Sequence, residues 1–127
     1  MAEVRGNEGR DRTYACTPEG LSAAMSDLKA LAASRKALVI LDEIATNIVR
    51  ESGATAMRIA YRRDGGEALV FDDDGEAFDP LSTAVPVPAA DPEERQHGGV
   101  GLQIVRAWAK DIRYRRNEGH NELSVWL

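Results

Sequence analysis

The sequence predicts an α+β fold, a two-layer α/β sandwich in which three helices cover one face of a mixed, mostly antiparallel sheet. Three observations predict it. Two stretches of helical period follow one another near the N-terminus, at about 18–33 and 35–51. Alternating stretches come in hairpin order, at 57–61 with 68–71 and at 112–116 with 122–127. A third helical stretch, at about 100–110, stands between those two pairs. The chain has 127 residues, the size of one domain. We expect a flexible N-terminal segment over residues 1–12 and one folded unit over 13–127.

Each element has its own signal. Tyr14 to Cys16 reads as a short edge strand. Thr17-Pro18 is a helix start, because threonine caps and proline suits the first helical position. Leu21, Met25 and Leu28 then recur on one helical face. In the second helix Ala37, Leu41, Ile44, Ala45 and Ile48 form the apolar stripe, and Gly53 ends it. Met57, Ile59 and Tyr61 alternate with smaller or charged neighbours, Asp64-Gly65-Gly66 turns the chain, and 68–71 returns as a strand. Residues 79–99 hold four prolines and no periodicity. A loop this long is expected to be functional, as a lid. Gly101, Val105, Trp108 and Ile112 mark one side of the third helix and its exit into the next strand. Residues 117–121 read as the turn between the last two strands.

Composition excludes several classes. At 43% hydrophobic and 29% charged the chain is of globular type, and its net charge of -5 is the wrong sign for a nucleic-acid footprint. The single cysteine, Cys16, can build neither an internal disulfide nor a thiolate metal site. The first residues lack an apolar signal core, and the apolar run 37–41 is too short to span a bilayer. The expectation is a cytoplasmic protein with no membrane segment and no direct nucleic-acid contact.

Three clusters carry chemistry. Glu43 and Asn47 lie four apart on a helix and so share a face, where a carboxylate and an amide oxygen suit Mg²⁺ coordination and the orienting of a hydroxyl. Taken alone, that pair is more often a solvated polar face. Asp73 and Gly75 follow an apolar strand. The alternatives there are an acidic turn, a calcium loop, and the nucleophile motif of haloacid-dehalogenase-type phosphatases. Val70 and a missing distal glutamate break the calcium pattern. Glu76 stands where the phosphatase motif has threonine, and too little chain comes after it for that fold. His97-Gly98-Gly99-Val100-Gly101-Leu102 opens a helix, a place where backbone N–H groups can close on an anion; the alternative is a flexible loop closure. No Lys-Ser/Thr pair comes after it as in a Walker loop, and Ile104 stands at the third glycine of a dinucleotide fingerprint.

Taken together and in order, the clusters resemble the Bergerat ATP-binding fold of the histidine-kinase-like ATPases, which include histidine kinases and gyrase B. The residues 41–47 resemble its first box, Asp73-Asp74-Gly75-Glu76-Ala77-Phe78-Asp79-Pro80 its second, and 98–102 its third. Within that group the chain is most similar to the anti-sigma factor serine kinases. It shares their Phe-Asp-Pro after the second box and their Gly-Leu-x-Ile-Val-Arg helix followed by Asp-x-Arg-Tyr, here 101–114.

The resemblance implies an ATP-dependent anti-sigma factor. Such a protein binds a sigma factor, phosphorylates a serine on an anti-sigma-factor antagonist and often forms a homodimer. It implies ATP and Mg²⁺ as cofactors, with Asn47 holding the metal against the phosphates and Glu43 as the catalytic base. It implies that Asp73 accepts a hydrogen bond from the adenine amino group and that Gly75 lets the chain pass beside the base. It places Ala77, Phe78, Gly98, Gly99, Val100, Gly101 and Leu102 around the nucleotide, with Gly99 and Gly101 offering N–H groups to phosphate. The sequence departs from the pattern at Ala77, where a second glycine is common. It departs again at Arg50-Glu51-Ser52-Gly53, where relatives often carry His-Gly and where an acidic Glu51 would slow phosphate transfer. The alternative is a nucleotide-dependent binding switch with little kinase activity.

Overall fold

The computed structural model describes residues 9–78 and 100–127. The elements are β1 (Gly9–Ala15), α1 (Pro18–Ala30), α2 (Arg35–Glu51), β2 (Ala56–Arg62), β3 (Ala68–Asp73), α3 (Val100–Trp108), β4 (Asp111–Asn117) and β5 (His120–Trp126). The five strands form one sheet in the order β1-β2-β3-β5-β4. The proline-rich stretch expected as a lid lies outside the described residues.

Every neighbouring pair in this sheet is antiparallel, so the expectation of a mixed sheet is corrected. The reason is the even number of helices between β1 and β2. The chain leaves β1 along α1 and returns along α2, so Ala15 ends beside Ala56, where β2 begins. A single intervening helix would have carried the chain back for a parallel pairing.

β1 also starts earlier than expected. Residues 9–12, read from sequence as flexible, pair with residues 59–62 of β2. Their polar composition hides a working strand: Arg10 and Arg12 share the helix-side face with Tyr14, and all three reach Asp27 on α1. Ion pairs and a phenol hydrogen bond there replace apolar contacts.

The helices cap as their sequences indicate. Thr17 Oγ1 accepts the Gly20 N–H at 3.0 Å, and Ser34 Oγ accepts the Ala37 N–H at 3.1 Å. Gly20 presses on the end of β1, where a Cβ would stand 1.8 Å from the Ala15 carbonyl oxygen. The α2 stripe of Ala37, Ile40, Leu41, Ile44, Ala45 and Ile48 is buried against Met57, Ile59, Tyr61, Leu69, Phe71, Leu123 and Val125 of the sheet. α1 adds Ala24 and Leu28, and α3 adds Val105. Glu67 locks the β2–β3 hairpin to the start of α2, accepting the Ser34 N–H at 2.8 Å and the Tyr61 hydroxyl at 2.6 Å. No helix among the described residues is long and apolar enough to cross a membrane.

Candidate functional site

The alternation along β3 puts Leu69, Phe71 and Asp73 on the helix-side face. The apolar row therefore ends in a carboxylate. Asp73 belongs to the strand and pairs with Met57 and Asn121. It is only 5% exposed. Its Oδ1 accepts the Gly75 N–H at 2.9 Å and Asn121 Nδ2 at 3.1 Å, while Oδ2 takes no hydrogen bond among the described residues. A buried carboxylate with one oxygen committed and one open is an acceptor prepared for an N–H donor.

Asn121 was hidden in the sequence, because residues 117–121 read as a turn. It sits instead inside β5, opposite Asp73 and Arg116. Its Nδ2 also donates to the Glu76 carbonyl at 2.7 Å, and its Oδ1 accepts the Phe78 N–H at 3.1 Å and the Tyr114 hydroxyl. Arg116 donates to the Gly75 carbonyl at 2.8 Å. Residues 75–78 are thus held by β4 and β5. The only available signal was that Asn121 precedes the alternating Leu123 and Val125 by the strand period.

Gly75 meets the end of α2. A Cβ built on it would stand 2.5 Å from the Ser52 carbonyl oxygen and 2.6 Å from Ser52 Cβ. The Glu76 N–H donates to that same carbonyl at 2.9 Å. Ser52 is buried, donates from Oγ to the Ile48 carbonyl at 2.7 Å and accepts the Ala54 N–H at 3.0 Å. In this structure the missing side chain at Gly75 makes room for α2, so the helix and the strand-end turn meet backbone to backbone.

Asp74 points the other way and fixes the chain entering β2. Its carboxylate accepts the Thr55 N–H at 2.9 Å, the Thr55 hydroxyl at 2.7 Å and the Ala56 N–H at 3.3 Å. These bonds, led by the Thr55 hydroxyl, hold its pKa down at about 2. Cys16 lies nearby, its N–H on the Thr55 carbonyl at 3.1 Å. Burial, then the charges of Asp73 and Asp74, push its thiol up to about 11, so it is a poor nucleophile.

Glu43 and Asn47 lie one turn apart on α2, both half-buried beside the stripe of Ile40, Ile44 and Ile48. Neither side chain has a hydrogen bond among the described residues. Glu51 continues the same line at the exposed end of the helix. No group of three or more His, Cys, Asp or Glu able to hold a metal occurs among the described residues. A cation at Asn47 could take further oxygens from a ligand and water, as a metal–nucleotide complex supplies them. Val100, Gly101 and Leu102 form the first turn of α3, as expected. Gly98 and Gly99 lie outside the described residues. Ala77 and Phe78 are exposed, Phe78 held through its N–H by Asn121.

The histidine kinase-like ATPase domain family matches residues 15–126. Serine/threonine-protein kinase BtrW of Bordetella bronchiseptica is 30% identical over 89 residues, covering 66% of this chain and 63% of that protein. The match thus spans less than two thirds of that relative's length.

Proposed function

The chain belongs to the histidine-kinase-like ATPase family, and from that membership we propose that it is an ATP-dependent protein serine kinase acting as an anti-sigma factor. It binds a sigma factor and phosphorylates a serine on that factor's antagonist. ATP binding follows from the family. The kinase, its metal and its partners are our reading.

The observation that carries the reading is the pairing of Glu43 and Asn47. They are one helical turn apart, half-buried and without hydrogen-bond partners among the described residues, in a domain whose buried Asp73 offers an open acceptor oxygen. Asp73 Oδ2 accepts the exocyclic amine of adenine. Asn47 Oδ1 would hold Mg²⁺, which would neutralise phosphate charge. The first turn of α3, with Gly101, turns its backbone N–H groups to the phosphates. Phosphoryl transfer is mostly positioning and charge neutralisation, so few groups remain to be supplied. Glu43 aligns a serine hydroxyl and takes its proton as the oxygen bonds to the γ-phosphorus and ADP leaves. The naming of BtrW as a serine/threonine-protein kinase supports this reading.

Glu51 favours a second reading, a nucleotide-dependent binding switch, since an acid continuing the Glu43–Asn47 line repels phosphate. Labelled ATP with the co-purified antagonist decides between them. The kinase reading expects the wild type to label the antagonist. It expects Glu43→Gln to keep its ATP affinity and lose roughly 10²–10⁴-fold in transfer rate. A wild type that binds the antagonist and leaves it unlabelled establishes the switch instead.

A further inference from the structure

The base-reading carboxylate does not stand alone. Asn121 is 5% exposed, and its amide uses every bonding position it has. Nδ2 donates to Asp73 Oδ1 at 3.1 Å and to the Glu76 carbonyl at 2.7 Å. Oδ1 accepts the Phe78 N–H at 3.1 Å and the Tyr114 hydroxyl. The amide has one workable orientation. Turned over, it would set its oxygen against Asp73 Oδ1 and the Glu76 carbonyl, and its NH₂ against the Phe78 N–H. With the Gly75 N–H at 2.9 Å as the second donor, Oδ1 of Asp73 is filled. Oδ2 is left as the one oxygen on which a ligand can act.

We propose that Asn121 is the specificity-determining positioning residue of the nucleotide site. By filling Oδ1 it presents Asp73 Oδ2 as a fixed acceptor, so the site takes a purine with a 6-amino group and rejects its 6-oxo counterpart. The inference rests on the reading of Asp73 as the residue that meets the base, and it adds what makes that carboxylate discriminate. A carboxylate at position 121 would have no donor for Oδ1, and two acids at that separation share a proton. When the pair's proton resides on Asp73 Oδ2 rather than between the two acids, Asp73 donates to the base, which suits an oxo group. Asn121 does not itself need to touch the base.

The test uses ATP and inosine triphosphate, which differ in the 6-amino group against a 6-oxo group. Their affinities are measured by calorimetry on the wild type and on Asn121→Asp, Asn121→Ala, Asp73→Asn and Tyr114→Phe, with melting curves to establish folding. The wild type prefers ATP. Asn121→Asp and Asn121→Ala each lower the ATP-to-inosine-triphosphate preference roughly ten-fold. If one of the two does not fold, the other carries the test. Tyr114→Phe removes a bond to the far side of the amide and leaves the preference within about two-fold. A merely structural role would lower both affinities together and leave their ratio fixed. A folded Asn121 variant with the wild-type ratio, alongside an Asp73→Asn variant that has lost it, overturns this inference alone. A wild type that binds both nucleotides equally overturns the reading of Asp73 itself.

Discussion

Where β3 ends and β5 begins, Asp73 and Asn121 are each 5% exposed and tied by hydrogen bonds to Gly75, Glu76, Phe78 and Tyr114. On the flank of α2, Glu43 and Asn47 are half-buried and have no such ties among the described residues. One region is finished by folding, and the other is polar chemistry that, among the described residues, only its helix holds in place. The difference follows from backbone. Strand pairing and the turn after Asp73 bring main-chain donors and acceptors to the first region, whereas the backbone of α2 is already satisfied within the helix. The proposed base-reading end is thus built by the fold itself, and the proposed metal and catalytic end would be completed by ligand.

The sharpest way to break this contrast is at the contact that joins the two regions. Gly75→Ala drives a methyl group into the Ser52 carbonyl, which is backbone and cannot swing aside. We expect a loss of about 1–3 kcal/mol in folding stability by denaturant unfolding, the usual cost of overpacking. A variant as stable as the wild type would show that the helix and the turn are not tightly joined.

A smaller effect is expected at Asp74, which braces the same turn from outside. Its folded pKa lies near 2 against an ordinary 3.8, so its contribution is complete above the ordinary value and lost as pH falls toward 2. Melting curves across that window should show the wild type losing stability more steeply than Asp74→Asn, with the two converging at the acid end. Parallel curves would remove Asp74 from the scaffold.

The smallest folding effect belongs to Asn47. Asn47→Ala should change stability by no more than about 0.5 kcal/mol, because no bond among the described residues is lost. Nucleotide binding should nevertheless cease to depend on Mg²⁺, as read by calorimetry with and without the metal. A large loss of folding stability would mean that this flank, too, is completed by folding.

The helices, the hairpins and the helix-side stripe were legible because burial imposes a period, and the period survives in sequence as Ile44, Ile48, Met57, Ile59 and Tyr61. Glu43, Asn47 and Asp73 stand out as candidates because their types and order resemble a family pattern. β1 was only partly legible, since Arg10 and Arg12 hold its face through Asp27, and ion pairs leave no hydrophobic period. Asn121 looked like a turn residue because asparagine favours turns, and only pairing with Asp73 shows otherwise.

By itself, then, the sequence determined the elements, their faces and the residue types available for chemistry, because these depend on local period and composition. The tertiary structure decided the fully antiparallel order of the sheet, the fit of Gly75 against Ser52 and the commitment of Asp73 Oδ1 to Asn121. Each of those joins residues far apart in the chain, and the geometry of a long-range contact is fixed only when the pieces pack.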